Sequence, residues 1–121
     1  MLRFGWSCVF LVGILSATAN AADPAQLARF LESKRCSGCD LSKANFAEKN
    51  LAGADLSNAK LNGANLSGAN LVGANLRFAD LTGTDLRYAD LRQAKLDGAN
   101  WRNAILCSTT LPDGKISNLT C

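Results

Sequence analysis

A large apolar side chain stands at every fifth position of this chain from Leu41 to Leu106, fourteen times without a gap. Leucine fills twelve of these positions, Phe46 and Trp101 fill the other two, and alanine stands two residues before eleven of the fourteen. An α-helix turns by about 100° per residue, so a period of five would spread the leucines around its whole circumference. In a flat strand, successive members would point to opposite faces. The chain must therefore bend once in every five residues.

The bend explains where the glycines stand. With one bend in each repeat, the large residue and the small residue two positions before it point inward, and the other three residues point outward. Gly tolerates the backbone conformation of a tight corner. A fixed short period of this kind predicts a solenoid, whose coils bury a core only by stacking. Six of the ten glycines stand two positions after the large residue: Gly53, Gly63, Gly68, Gly73, Gly83 and Gly98.

The repeated Ala-Asp/Asn-Leu pattern over residues 39–108 resembles that of the pentapeptide repeat family. The resemblance implies an all-β solenoid, a right-handed quadrilateral parallel β-helix with four pentapeptides in each coil. Fourteen repeats would then rise roughly 15–17 Å, at ~4.8 Å per coil. The residues before the leucines are expected to stack as polar ladders. The opening Cys36-Ser37-Gly38-Cys39-Asp40-Leu41 and the ending Thr110-Leu111-Pro112-Asp113-Gly114 with Cys121 resemble exported bacterial members of the family.

Residues 1–21 have the features of a signal peptide. Arg3 supplies positive charge, residues 8–15 form an apolar stretch, and Ala19-Asn20-Ala21 is a cleavage site of the A-x-A type. The apolar stretch is shorter than the about 20 residues that a transmembrane helix needs. Cleavage and a periplasmic or secreted location are therefore predicted, with an uncleaved membrane anchor as the alternative.

Residues 22–38 are predicted to form an N-terminal cap. Asp23-Pro24 is typical of a helix start, with a carboxylate N-cap followed by proline. Leu27, Phe30 and Leu31 then share one helical face. This short helix is expected to cover the open apolar end of the first coil, as residues 109–121 are expected to cover the last.

Without Cys8 of the leader, four cysteines remain, and they allow three connectivities. On the column that the family implies, Cys39 and Cys107 lie at opposite ends, too far apart for a disulfide. The loose tail after Cys107 lets Cys121 reach it, which leaves Cys36 for Cys39. Cys36–Cys39 and Cys107–Cys121 are the predicted disulfides, and no cofactor or metal is predicted. A redox-active pair or a zinc half-site is the competing interpretation of the CxxC segment. A haem attachment site would need a histidine after Cys39, and the chain contains none.

The surface offers few candidate functional residues. Thr84 should hydrogen-bond locally, and Lys49 is expected to escape at the rim of the first coil. Catalysis is not expected, because the interior is filled by Leu and Ala and no constellation of convergent titratable groups is present. Phe78 and Tyr88 are predicted to be exposed on opposite sides, as possible partner contacts. Four arginines each follow an inward residue and should form a collar on four different sides: Arg77, Arg87, Arg92 and Arg102.

These observations predict a non-catalytic binding or scaffolding module of the bacterial cell envelope, with an unidentified protein partner. Some members of the family are acidic dimeric rods that imitate duplex DNA and protect DNA gyrase. That alternative is disfavoured here by the export signal, the small number of coils and the formal net charge of +3. The redox-active CxxC is the other alternative. Nucleic acid is not expected as a partner, nor is membrane insertion after cleavage. A monomer is predicted, because both ends of the column should be covered.

Overall fold

The body of the molecule is a column of stacked coils. The structure is a computed structural model, and it describes residues 21–121. Twelve parallel β-bridges join residues that lie twenty positions apart, from Arg35–Asp55 to Asp90–Thr110. Each coil therefore contains four pentapeptides. The predicted signal peptide falls almost wholly outside the described residues.

Each repeat turns a corner through a tight turn. In the first full repeat the Ala44 N–H donates to the Leu41 carbonyl at 3.2 Å, and Lys43 between them has a φ of 62°. A hydrogen bond that closes a four-residue turn, with positive φ at the third residue, is the signature of a type II turn. The residue two positions after the large one has positive φ in all fourteen repeats, whether it is glycine or not. The corner prediction is confirmed.

The Asp or Asn before the leucine has a structural role beyond the predicted ladders. In eleven repeats its Oδ1 atom accepts a hydrogen bond from the backbone N–H two residues further on, at 3.0–3.2 Å. Both residue types offer the same acceptor oxygen, so they are interchangeable here. The bridges also stack these positions in the predicted ladders, for example Asp40, Lys60, Asp80 and Asn100.

The core runs along the axis of the column. Eleven of the fourteen large residues, from Leu41 to Leu91, have no solvent exposure. The prediction of a buried position is wrong for Trp101, which is 36% exposed, and Leu96 is only partly buried. Within residues 21–121, no further coil covers these two sides of the column.

The repeat geometry reaches beyond residues 39–108 at both ends. Cys36 occupies an inward position, and Arg35 bridges to Asp55. At the other end Thr109 is fully buried in the place of the small inward residue, and Thr110 bridges back to Asp90. The column therefore extends over residues 35–112.

Helix α1 (Pro24–Ser33) covers the N-terminal end of the column. The Asp23 carboxylate accepts from the Ala25 N–H at 2.9 Å, which confirms the predicted N-cap. Phe30 is fully buried, and its ring meets that of Phe46 edge to face at a centroid distance of 5.5 Å. Leu31 was expected on the same face but is 41% exposed, so that part of the prediction is wrong.

The C-terminal tail forms a small hairpin beside the last coil. Strand β1 (Thr109–Thr110) pairs antiparallel with strand β2 (Ile116–Ser117). The Leu106 N–H donates to Thr120 Oγ1 at 2.6 Å, and the Gln93 N–H donates to the Pro112 carbonyl at 3.0 Å. The tail thus covers two of the four sides of the column. Within residues 21–121, no helix is long and apolar enough to cross a membrane.

Candidate binding surface

The two predicted aromatic contacts are exposed. Phe78 is 63% exposed and Tyr88 is 68% exposed, and both stand at corner positions, with φ values of 60° and 62°. A bulky residue is uncommon in this region of backbone space, because its Cβ crowds the neighbouring carbonyl. Ten residues is half of a coil, so the two rings lie on opposite sides of the column, as predicted, and form no common patch.

Phe78 lies against the coil that follows it. A Cβ atom on Gly98, twenty residues further on, would overlap the Phe78 ring, so the ring lies directly over the glycine. Beside it, Arg77 Nε donates to Asp97 Oδ2 at 3.1 Å across the same two coils. We call these four residues the Phe78 patch. It combines an exposed apolar ring with an ion pair on one side of the column.

Two other arginines of the predicted collar hold a carboxylate of their own repeat. Arg87 binds Asp85 through two hydrogen bonds, of 2.9 Å from Nε and 2.6 Å from Nη2. Arg92 binds Asp90 in the same way. The hydrogen bond from Arg87 holds the pKa of Asp85 below its ordinary value, against the opposing effect of burial, and Arg92 does the same to the pKa of Asp90. The positive charges of Arg87 and Arg92 are therefore balanced by the carboxylates of Asp85 and Asp90.

The arginines do not form a continuous basic surface. The twenty-residue coil places them on four different sides of the column, as predicted. Three of them bind a carboxylate, and only Arg102 has no ion pair among residues 21–121. A groove for a nucleic-acid backbone would need several basic side chains in a row. This surface has no such row.

The four cysteines lie at bonding distance in the two predicted pairs. The Cα atoms are 5.3 Å apart in Cys36–Cys39 and 4.9 Å apart in Cys107–Cys121, within the range that a disulfide requires. Cys36 is buried in the first coil, and Cys39 is partly exposed. An open cleft of about 520 Å³ lies beside this pair, and Gln26, Arg29 and Arg35 contribute to its walls. Among the described residues, no cluster of His, Cys, Asp or Glu could hold a metal ion.

Two residues that depart from the repeat are also accounted for. Lys49 is exposed at the first coil, as expected. The hydroxyl of Thr84 donates to the Leu61 carbonyl at 2.8 Å, twenty-three residues earlier in the chain, and Thr109 donates to Leu86 in the same way. The expected local hydrogen bond of Thr84 is therefore wrong, because its partner lies in the preceding coil.

A family model for pentapeptide repeats matches this chain in eight copies, over residues 35–71, 50–87 and 84–118. The chain belongs to the pentapeptide repeat family. No curated protein matched the sequence.

Several solved structures of pentapeptide repeat proteins are similar. HetL of the cyanobacterium Nostoc sp. strain PCC 7120, which is involved in the regulation of heterocyst differentiation, is 38% identical with a TM-score of 0.43. The match covers 69% of this chain but only 40% of HetL. A second Nostoc protein is 34% identical, with a TM-score of 0.41 and coverage of 73% and 78% of the two chains. A protein of the Arabidopsis thaliana thylakoid lumen is 25% identical, with a TM-score of 0.36 and coverage of 74% and 73%.

The pentapeptide column carries one further surface, which the sequence analysis missed. On the two sides that the tail leaves open, the repeats of Leu96 and Trp101 form the floor of a cavity of about 560 Å³, with Leu111 and Pro112 in its walls. We call this surface the C-terminal notch. Two features of the sequence indicate this surface. Tryptophan replaces leucine in the thirteenth of the fourteen repeats, at Trp101. Fourteen repeats also do not divide into whole coils of four, so the last coil is incomplete.

Proposed function

We propose that this pentapeptide repeat protein is a non-catalytic binding or scaffolding module of the bacterial cell envelope, built as a right-handed, four-sided β-helix. The observation that carries the proposal is the pair of exposed aromatic residues, Phe78 and Tyr88, at the corners of a rigid column. Positive φ is shared by every corner of the repeat, so the feature that distinguishes these two corners is the exposed aromatic ring, a side chain enriched in protein interfaces.

The interior of the column is packed with side chains, so a functional site would have to lie on its outer surface. Its axis is filled by fully buried leucines and alanines, whereas an enzyme needs a concave site with convergent polar groups. The carboxylates whose pKa is lowered are each held by a hydrogen bond from the residue two positions further along the chain. Their shifts follow from surface structure and give no support to a catalytic role.

Each exposed aromatic residue directly follows an arginine whose side chain is fixed by an ion pair. Arg77 binds Asp97 beside Phe78, and Arg87 binds Asp85 beside Tyr88. Aromatic and arginine side chains dominate the binding energy of protein interfaces, and prior ordering reduces the entropic cost of association. Two such pairs on opposite sides of one column suit a scaffold that contacts two partners at once.

The proposed location rests on the cysteines and the leader. Two cysteine pairs at bonding distance are expected in an oxidising compartment and are rare in the cytosol. Protection of gyrase by DNA mimicry receives no support from the charge, because residues 21–121 contain twelve basic and ten acidic side chains, the thirteenth basic residue being Arg3. A mimic of duplex DNA would need rows of uncompensated carboxylates.

The test is affinity capture from bacterial envelope extracts with the oxidised chain as bait. Phe78→Asn and Tyr88→Asn are suitable variants, because Asn58 and Asn103 already occupy the same corner with positive φ. We expect each variant to keep its melting temperature and to lose about tenfold or more in capture of at least one partner. Gln93→Asn is the matched control at an exposed, non-aromatic corner. Capture that is unchanged by both aromatic substitutions would refute the proposed contact surface.

A further inference from the structure

The C-terminal notch is an unpaired β-edge. One coil below it, four N–H groups donate to the last coil: Leu76 to Lys95 at 2.8 Å, Phe78 to Asp97 at 2.9 Å, Leu81 to Asn100 at 2.6 Å and Gly83 to Arg102 at 3.0 Å. The equivalent N–H groups of the last coil itself have no partner among residues 21–121, and neither do two carbonyls, one just before the N–H groups of each side. These groups are the N–H of Leu96, Gly98, Trp101 and Asn103 and the carbonyls of Ala94 and Ala99.

The arrangement of these groups specifies the shape of a ligand. In the coils below, an extended segment accepts from the two N–H groups of one side and donates back to the carbonyl that precedes them, as the Lys95 N–H does to Ala74 at 2.9 Å. An added strand satisfies an open edge in the same way, through its own main chain. Two open sides match about ten residues of extended chain with one bend, since each side is one pentapeptide.

The side chains at the notch specify the chemistry of that ligand. Lys95 and Arg102 flank the edge and have no ion pair among the described residues, whereas Asp97 and Asp113 each have one. The charge left uncompensated is therefore positive. Leu96 and the exposed ring of Trp101 add apolar surface between the two cations. A residue bound above Lys95 would continue the ladder of Asp55, Asn75 and Lys95. An acidic side chain is favoured there because it would lie next to the Lys95 ammonium group.

We infer that the C-terminal notch binds an extended acidic peptide segment of a partner protein by β-addition, with an apolar residue following each acidic one. The inference rests on the proposed binding function, but the notch binds through its open main-chain groups and Lys95 and not through the rings of Phe78 and Tyr88, although it adjoins the Phe78 patch at Asp97 and Gly98. A second copy of this chain is a poorer occupant of the notch. In a head-to-head pair Lys95 and Arg102 would approach their own equivalents, and the tail stands one layer higher on the other two sides, where Pro112 and Thr120 accept hydrogen bonds.

The probe is a synthetic peptide, Ala-Asp-Leu-Ser-Gly-Ala-Asp-Leu-Ser-Gly, blocked at both ends. Amide hydrogen exchange of the oxidised chain is followed by NMR. In the free protein, we expect the N–H groups of Leu96, Gly98, Trp101 and Asn103 to exchange much faster than their four equivalents one coil below. Saturating peptide should slow exchange of the notch amides about tenfold or more. A peptide with both Asp replaced by Lys, and one with both Leu replaced by Ser, should bind about tenfold more weakly.

Variants of the protein locate the site and separate the inference from the proposed function. Lys95→Glu should weaken peptide binding about tenfold, whereas Lys49→Glu, an exposed lysine at the opposite end, should leave it unchanged. The inference is overturned if the peptide does not slow the notch amides, or if Lys49→Glu weakens binding as much as Lys95→Glu. Protection that grows with protein concentration without peptide would assign the notch to a second copy instead. Partner capture that depends on Phe78 or Tyr88 but not on Lys95 would preserve the proposed function while refuting the notch.

Discussion

The two ends of the column are closed by different means. At the N-terminal end, helix α1 inserts Phe30 fully into the core, and Gln26 Oε1 accepts a hydrogen bond from the Asp40 N–H at 2.7 Å. At the C-terminal end the tail covers one side through hydrogen bonds from Leu106 and Ser108 to its polar side chains, and a second side through the Pro112 carbonyl, which accepts from the Gln93 N–H. The other two sides expose Trp101 and leave Leu96 partly buried.

The difference shows that a repeat sequence does not provide the residues that cover its own end coils. Every internal coil is covered by the coils on either side, so the same five residues can serve throughout. An end coil has no such neighbour and depends on sequence from outside the repeat. A helix with one large aromatic residue buries the apolar core of its end completely, whereas a short polar tail leaves Leu96 and Trp101 partly exposed. Four predictions test whether the two ends differ as described.

The largest effect is expected from removing the aromatic residue at each end. Phe30→Ala deletes a fully buried side chain and should lower the free energy of unfolding by about 3–5 kcal/mol. Trp101→Ala should cost about 1–2 kcal/mol, because the indole is already 36% exposed. Urea unfolding of the oxidised chain measures both values. Equal costs would show that the C-terminal end is as fully closed as the N-terminal end.

The two disulfides should also contribute unequally. The Cys107–Cys121 loop has a sequence separation of 14, against 3 for Cys36–Cys39. On the loop-entropy model, replacing the longer bridge by two alanines should cost about 3 kcal/mol and replacing the shorter one about 2 kcal/mol. Thermal or urea unfolding of the two double variants would rank them. A larger loss from the Cys36–Cys39 variant would mean that this pair does more than join the helix to the first coil.

Alanine substitution at two corner glycines separates backbone strain from contact. Gly53 in the first coil and Gly98 in the last have φ values of 71° and 73°, so each substitution should cost about 1 kcal/mol in strain. Apart from its chain neighbours, no atom of residues 21–121 lies within 4 Å of a Cβ added to Gly53, whereas one added to Gly98 meets the Phe78 ring. We expect Gly98→Ala to cost about 1 kcal/mol more. Chemical unfolding of the two variants measures the difference, and equal costs would mean that Phe78 moves aside freely.

The smallest effects concern the carboxylates whose pKa is lowered, Asp40 near the helix and Asp85 and Asp90 nearer the tail. A lowered pKa in the folded state stabilises the protein above the ordinary value near 3.8. That contribution is lost as the pH falls below 3.8 and through the lower folded values. Substitution by Asn keeps the Oδ1 acceptor and removes the charge.

Each of these Asn variants should therefore lower the melting temperature at pH 7 by less than about 4 °C, because the ion pairs of Asp85 and Asp90 are exposed and Asp40 is held mainly by the hydrogen bond from Ser42. The difference from the unsubstituted chain should shrink as the pH falls from 3.8 through the lower folded values. Calorimetry at pH 7 and at a series of acid pH values measures this. A difference that persists at acid pH would show that hydrogen-bond geometry, and not charge, carries the effect.

The sequence by itself determined the local features of this protein. The bend in each repeat, the inward leucine and the interchangeable Asp or Asn depend on contacts within a few residues and on burial repeated at a fixed spacing. The start of helix α1 at Asp23 was predictable for the same reason, since a cap is made by side chains two or three residues away. The cysteine pairing followed once the height of the column was implied by the family.

Only the tertiary structure decided which residues meet across coils. Thr84 donates to Leu61, Arg77 binds Asp97 and Phe78 lies over Gly98, and each of these contacts spans twenty or more residues. The open edge at Leu96 and Trp101 depends on how far the tail reaches, which no periodicity encodes. The five-residue period defines each coil but does not determine what stacks on the last one. At that end, the burial of Leu96 and Trp101 depends on the path of the non-repeating tail.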